Sequence, residues 1–249
     1  MDPISIVAAS GMRARMESLD MLANNLANSS TSGYKTDREF FGLYVSQEAQ
    51  DEEDIGMAGS PDQLPVVEKQ YTDFSQGAIH ATGDPLDFAL SGRGFFAVNG
   101  PTGPLYTRNG SFKLSSSGVL SSIDGLPVRS TAGGTIQTRS QNAFDVAADG
   151  TVTQDGQVLG QISVVSFDEP KQLSKQGLNY FHQVDPKFEP APSTAVVQQG
   201  KIEGSNVGAA ESSVRLISVL RQFEMLSKAI NIGSDMDKQA LQEVARVSS

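Results

Sequence analysis

Cysteine and tryptophan are absent from the 249 residues, and histidine occurs only at His80 and His182. Without cysteine there can be no disulfide framework and no thiolate metal site. Two histidines far apart in the chain leave a His-based metal site or a Ser-His triad without neighbouring partners. Basic charge is also short: 19 Lys and Arg against 29 Asp and Glu give a formal charge of −10. Nucleic-acid binding needs the opposite balance, a basic footprint. No apolar run approaches the roughly 20 residues that span a bilayer as a helix. The opening MDPISIVAASGMRARMES lacks the basic start, compact apolar block and cleavage site of a secretory signal. Aromatics make up only 7% while glycine numbers 24, which points to a modest core and many turns.

What is present begins with a helical pattern. Met12, Met16, Leu19, Ala23 and Leu26 recur at spacings of three and four, one face of a helix running from about Ile4 to Asn28. Gly11 in its interior costs about 1 kcal/mol relative to alanine and would allow a neighbouring helix to come close. Asn25 and Asn28 interrupt the pattern. Ser29 to Ser32 then compete for backbone hydrogen bonds, and Gly33 is expected to take the left-handed conformation that turns the chain out of the helix. A matching pattern closes the chain. Ser205 and Asn206 are helix-capping types, Glu211 suits the positive end of the following helix, and Leu216, Leu220, Phe223, Ser227 and Ile230 form a stripe with Val214 and Ile217 beside it. Gly233-Ser234 reads as a stop and restart.

Between the two helices the pattern changes. Residues 36–76 read as an extended acidic connector. The cluster Glu48, Asp51, Glu52, Glu53 and Asp54 lacks the regular spacing, central glycine and closing glutamate of a calcium loop. Residues 77–184 read as short strands. Phe95 to Val98 and Leu105 to Arg108 are followed by Asn109-Gly110 and Asp124-Gly125, both expected to be tight hairpin turns with positive φ, and by Asp149-Gly150 and Asp155-Gly156. Gly92-Arg93-Gly94-Phe95-Phe96-Ala97 fits a dinucleotide pattern superficially, but strand follows it where a helix N-terminus is needed. Residues 185–204, with Pro186, Pro190 and Pro192, read as a second connector. The resulting organisation is an N-terminal axial helix (1–35), the acidic connector, the β domain, the second connector and a C-terminal helix (205–249). The fold class is α+β: paired, coiled-coil-like terminal helices bracketing a central antiparallel β domain.

Three blocks carry a family resemblance. ANNLANSSTSGYK, Ala23 to Lys35, resembles the motif that ends the N-terminal helix of flagellar rod and hook axial proteins. SGRGFFAVNGPTGPLYTRNGSFKLSSSGVLSSIDGLPV, Ser91 to Val128, is similar to their central signature. QQGKIEGSNVGAAESSVRLISVLRQFEMLSKAI, Gln198 to Ile230, is similar to their C-terminal block. Lys201 stands where an aromatic is common, and Glu224 follows Phe223 where Tyr-Glu is common. The resemblance implies terminal helices that pair in an inner axial domain and polymerise into the torque-transmitting rod. It also implies export without a cleaved signal through the flagellar export apparatus, and a periplasmic place in the basal body. The partners would be further copies of the chain and neighbouring rod proteins. Within the family the Asp-Pro opening is closest to proximal rod members, with the distal rod as the alternative.

The residues expected to carry assembly are Met12, Met16, Leu19, Asn25, Leu26 and Asn28 on the first helix and Val214, Ile217, Leu220, Phe223 and Ile230 on the second. No catalytic residue, metal or cofactor is expected. The competing readings are a monomeric β-rich binding module with helices packed against it and, further off, a hydrolase using Asp124, Asp149 and Asp155. Helices of this length are marginal alone and gain order when neighbours cover their apolar faces.

Overall fold

The computed structural model describes residues 3–45, 63–139, 143–169, 173–185, 187–188 and 190–247. The acidic run Glu48 to Asp54 lies outside them. The chain forms two units, one of Met1–Ala27, Asp37–Tyr71 and Gly208–Ser249, the other of Asn28–Thr36 and Thr72–Val207.

The first unit holds helix α1 (Pro3–Ala27), helix α2 (Ala209–Val247) and two paired strands, β1 (Asp37–Val45) and β2 (Gln63–Thr72). Pro3 opens α1, where its missing N–H and fixed φ cost nothing. Helix α2 has 39 residues and runs straight through Gly233-Ser234, so the expected stop and restart is not there. One glycine in a helix of that length costs about 1 kcal/mol, too little to break it.

The second unit is antiparallel β structure. Its strands are β3 (Ile79–Ala81), β4 (Phe88–Ser91), β5 (Phe95–Gly100), β6 (Gly103–Thr107), β7 (Phe112–Leu114), β8 (Leu120–Ser122), β9 (Asp145–Val146), β10 (Thr151–Gln154) and β11 (Gln157–Gln161). These are followed by β12 (Val164–Ser166), β13 (Leu173–Gln176), β14 (Tyr180–Gln183), β15 (Ala191–Pro192), β16 (Val196–Gln199) and β17 (Lys201–Glu203). A six-stranded sheet runs β13-β14-β6-β5-β12-β15, a three-stranded sheet β11-β10-β9, and β16-β4, β17-β3 and β7-β8 pair separately. Residues 185–204, expected as a connector, therefore supply three strands. The reason lies in Val196 to Glu203, whose strands pair with β4 and β3 far earlier in the chain.

Strand β5 explains the Gly-Phe-Phe-Ala-Val run. Its side chains alternate between two cores, as period-two geometry requires. Phe96 and Val98 join Phe88, Leu90, Leu105 and Phe112 on one face. Phe95 and Ala97 join Tyr106, Leu173 and Phe181 on the other. A strand buried on both faces reads as a continuous apolar run.

The turns differ from expectation. Positive φ at both central residues occurs at Asp155 (51°) and Gly156 (76°), which close β10 on β11 as a type I′ hairpin. At Asp124-Gly125 only Gly125 is left-handed, after a turn in which its N–H donates to the Ser122 carbonyl at 2.9 Å. Neither Asn109 nor Gly110 is. Asn109 instead forms a side-chain turn, its Oδ1 accepting from Ser111 N–H at 3.1 Å. Gly110 is required for a different reason: a Cβ there would overlap the backbone carbonyl of Phe88, which is drawn close by the Phe88 N–H donating to the Gly110 carbonyl at 2.9 Å.

Gly110→Ala should therefore lower the urea midpoint more than Gly125→Ala, which meets open space and carries only the positive-φ cost of about 1 kcal/mol. Equal losses in the two variants would show that the Phe88 backbone yields.

Candidate assembly interface

In α1 the covered positions are Ala8, Gly11, Ala14, Ser18, Met21, Leu22 and Asn25, with Asn28 just beyond its end. From Gly11 onward, Leu22 apart, they alternate spacings of three and four, and most are small or polar. Met21 and Leu22 form a buried cluster with Val219 of α2, and Leu19 and Leu216 pack at its margin. Among the described residues of α2 the covered or half-covered large apolar positions, Leu216, Val219, Phe223, Leu226 and Ile230, alternate in the same way.

The predicted assembly residues fall on several surfaces. Met16 is 54% exposed, while Met12, Leu19 and Leu26 are half-buried. Val214 at 66% and Ile217 at 51% are open, Leu220 is exposed, and Phe223 and Ile230 are half-buried. Asn25 and Asn28 are buried, and the reason is specific. The Asn25 amide donates to the Asp37 carbonyl at 2.8 Å and accepts the Asp37 N–H at 3.0 Å, so a helix side chain completes the backbone pairing where β1 begins. Asn28 Oδ1 accepts the Thr31 hydroxyl at 3.2 Å. Ser18 lies 2.8 Å from a Glu39 carboxylate oxygen.

A second arrangement, inside the β unit, was not foreseen. Lys35, Arg108 and Glu203 form a buried charge cluster, with side-chain exposures of 0%, 4% and 0%. Lys35 Nζ donates to Glu203 Oε1 at 2.5 Å and to the Ser75 carbonyl at 2.7 Å. Arg108 donates to Glu203 Oε2 at 3.1 Å and to the Gly92 carbonyl at 2.7 Å. The Gly77 N–H donates to Glu203 Oε1 at 2.9 Å. Burial lowers the pKa of Lys35, with Glu203 opposing it, and lowers that of Arg108 for the same reason.

Backbone bonds surround this cluster. Gly33 N–H donates to the Glu203 carbonyl at 2.8 Å, Thr36 N–H to Asn206 Oδ1 at 2.8 Å, and Asn206 Nδ2 to the Asp73 carbonyl at 2.7 Å. Gly33 has φ 69° but does not terminate α1, which ends at Ala27. A Cβ on it would overlap the backbone of Arg108 and Asn109. The sequence offered one signal for the cluster: each of the three resembling blocks contributes one of its charges.

Three family profiles match the chain. Flagella basal body rod protein covers residues 7–35, flagellar hook protein FlgE/F/G D1 domain residues 89–159, and flagellar basal body rod FlgEFG protein C-terminal residues 198–243. The chain is 33% identical over 223 residues to the flagellar basal-body rod protein FlgF of Mesorhizobium japonicum, covering 88% of each. This chain belongs to the flagellar basal-body rod protein family. It is also 29% identical over 250 residues to FlgF of Caulobacter vibrioides, across 100% of both chains. With FlgG of Agrobacterium fabrum it shares 32% over 262 residues, 92% of this chain and 95% of that one. The matched proteins are basal-body rod proteins, structural in kind. In this rod-family chain Lys35, Arg108 and Glu203 fall one in each matched segment. Among the described residues no helix is long and apolar enough to cross a membrane.

Glu203→Gln would leave two buried cations facing a neutral amide. The expected loss is about 3–5 kcal/mol, the cost of breaking a buried pair from one side, read as a lower urea midpoint. A pH signature accompanies it. Because Lys35 titrates below 10.5 in the folded state, the unfolded chain binds that proton more tightly, and this group's contribution to stability rises with pH across the interval. Removing the Glu203 charge, which raises the Lys35 pKa, should widen the interval toward lower pH. A melting temperature with the same pH dependence in both proteins would contradict this.

Proposed function

We propose that the chain is a proximal-rod subunit of the flagellar basal body that polymerises through the outward faces of α1 and α2. One observation carries the reading: α2 is apolar on two opposite faces. Leu216, Val219, Phe223, Leu226 and Ile230 are covered, whereas Val214, Ile217, Met225, Ile232 and Met236 point away from them and are more than half exposed. At 100° per residue the two sets lie on opposite sides of the helix. Large apolar side chains arrayed along a face mark a surface made for a partner. Met16 on α1 adds to the set.

The covered spacings of three and four on both helices favour coiled-coil-like pairing. Neighbouring copies then bury the outer stripes, each large side chain contributing about 1.5–3 kcal/mol, so order along the helices strengthens on assembly. The Asp-Pro opening supports the proximal over the distal position. Membership of the rod family supports a periplasmic place in the basal body and export through the flagellar apparatus.

Met225→Asp and Ile217→Asp should each raise the concentration needed for polymer formation about tenfold or more, with the β unit unchanged by NMR, because each variant buries a charge only in the polymer. Val219→Asp should instead loosen the helices within one chain. Sedimentation separates the cases. Normal polymers from the Ile217→Asp, Met225→Asp double variant would remove the outer face from assembly, and a wild-type chain monomeric at every concentration would favour a binding module.

A further inference from the structure

A cavity of about 370 Å³ opens in the β unit between Phe74, Phe95, Phe167, Leu173, Arg93 and Arg108. Its size is that of a small ligand site. Its walls are aromatic: Phe74 meets Phe95 edge-on at 5.4 Å between ring centres, and Phe95 meets Phe167 at 6.1 Å. Arg108, 4% exposed, lines it and is held in the wall by Glu203 and the Gly92 carbonyl. At the rim stand exposed Arg93 and Asp168.

The same unit carries a matching projection. Phe188 is 50% exposed, while Phe88, Phe95, Phe96, Phe112, Phe144 and Phe181 are buried. The Phe188 N–H donates to the Asp185 carbonyl at 3.2 Å and the Lys187 N–H to Asp185 Oδ1 at 3.0 Å. Gln183 Nε2 donates to both the Asp185 and the Phe188 carbonyls. Asp185 and Lys187 flank the ring with one charge of each sign, as Arg93 and Asp168 flank the cavity.

We propose that the cavity receives Phe188 of a second copy of this chain. The ring fills the aromatic pocket, and Asp185 and Lys187 meet Arg93 and Asp168. This rests on the reading that copies assemble, and it adds a contact between β units to the one between helices. Projection and pocket are different surfaces of one chain, so the contact can be made head to tail and repeated.

The test uses the full-length chain carrying Ile217→Asp and Met225→Asp, held at a concentration where sedimentation shows a monomer, so a failed titration is separate from failure of the rod reading. The capped peptide QVDPKFEP, residues 183–190, is titrated into the isotope-labelled protein. Shifts are expected at the amides of Phe74, Phe95, Phe167 and Leu173. The Phe188→Ala peptide should bind about tenfold or more weakly. Asp168→Lys in the protein should weaken binding about two- to fivefold, and Lys187→Glu in the peptide should restore it. No shift at the cavity up to millimolar peptide, equal binding by the alanine peptide, or a charge swap that fails to restore affinity would each overturn the proposal.

Discussion

One carboxylate holds the crossing points of this chain. Glu203 accepts from Lys35 and Arg108 through its side chain and from Gly33 through its carbonyl, in a place from which water is excluded. Segments 33–36, 73–77 and 203–206 all meet there, and they are the stretches by which the chain enters and leaves the β unit. Three charges brought out of water gain little net stability from one another. Their value lies in geometry: with two cations and one anion, each displaced strand would leave an unpaired charge in the interior. The segments are therefore fixed together or not at all.

That constraint bears on function through stiffness. A rod subunit has to keep its fold under load, and a cluster joining sequence-distant segments places their mutual position under electrostatic control. The two-faced sheet acts alongside it. Because β5 puts Phe96 and Val98 into one core and Phe95 and Ala97 into the other, the cores share a strand and cannot loosen separately. The helices have the opposite character. Their covered seam is lined by small or polar residues on α1, and large apolar side chains remain outside on α2, so the first unit leaves apolar surface unsatisfied where the β unit covers most of its own.

The two helices, the antiparallel β middle and the family were all legible in the residues. Helical spacing, strand length and turn residues are local properties, and they survive whatever the chain packs against. The choice of helix face was less legible. Met12, Met16, Leu19 and Leu26 are the larger residues at helical spacing, yet Gly11, Ala14, Ser18 and Asn25 are better covered. Ser18 and Asn25 are covered by bonds to Glu39 and Asp37 of β1, and periodicity weighted by hydrophobicity looks past small and polar residues. Asn25 and Asn28 interrupt the helical pattern in the sequence, and what covers Asn25, the backbone of Asp37, lies on another element that local spacing does not reveal.

Sequence by itself determined that helices lie toward both ends of the chain with short strands between them, and what chemistry is excluded by missing cysteine and scarce histidine. Only the tertiary structure decided why particular glycines are needed. Gly33 and Gly110 are required by backbones distant in sequence, at Arg108-Asn109 and Phe88, and so are not explained by their own turns. It also decided that Lys35, Arg108 and Glu203, separated by most of the chain, share one buried site. Local spacing records the backbone's period. It carries no measure of which charges meet when water is removed, and that is set by strand pairing across the whole chain.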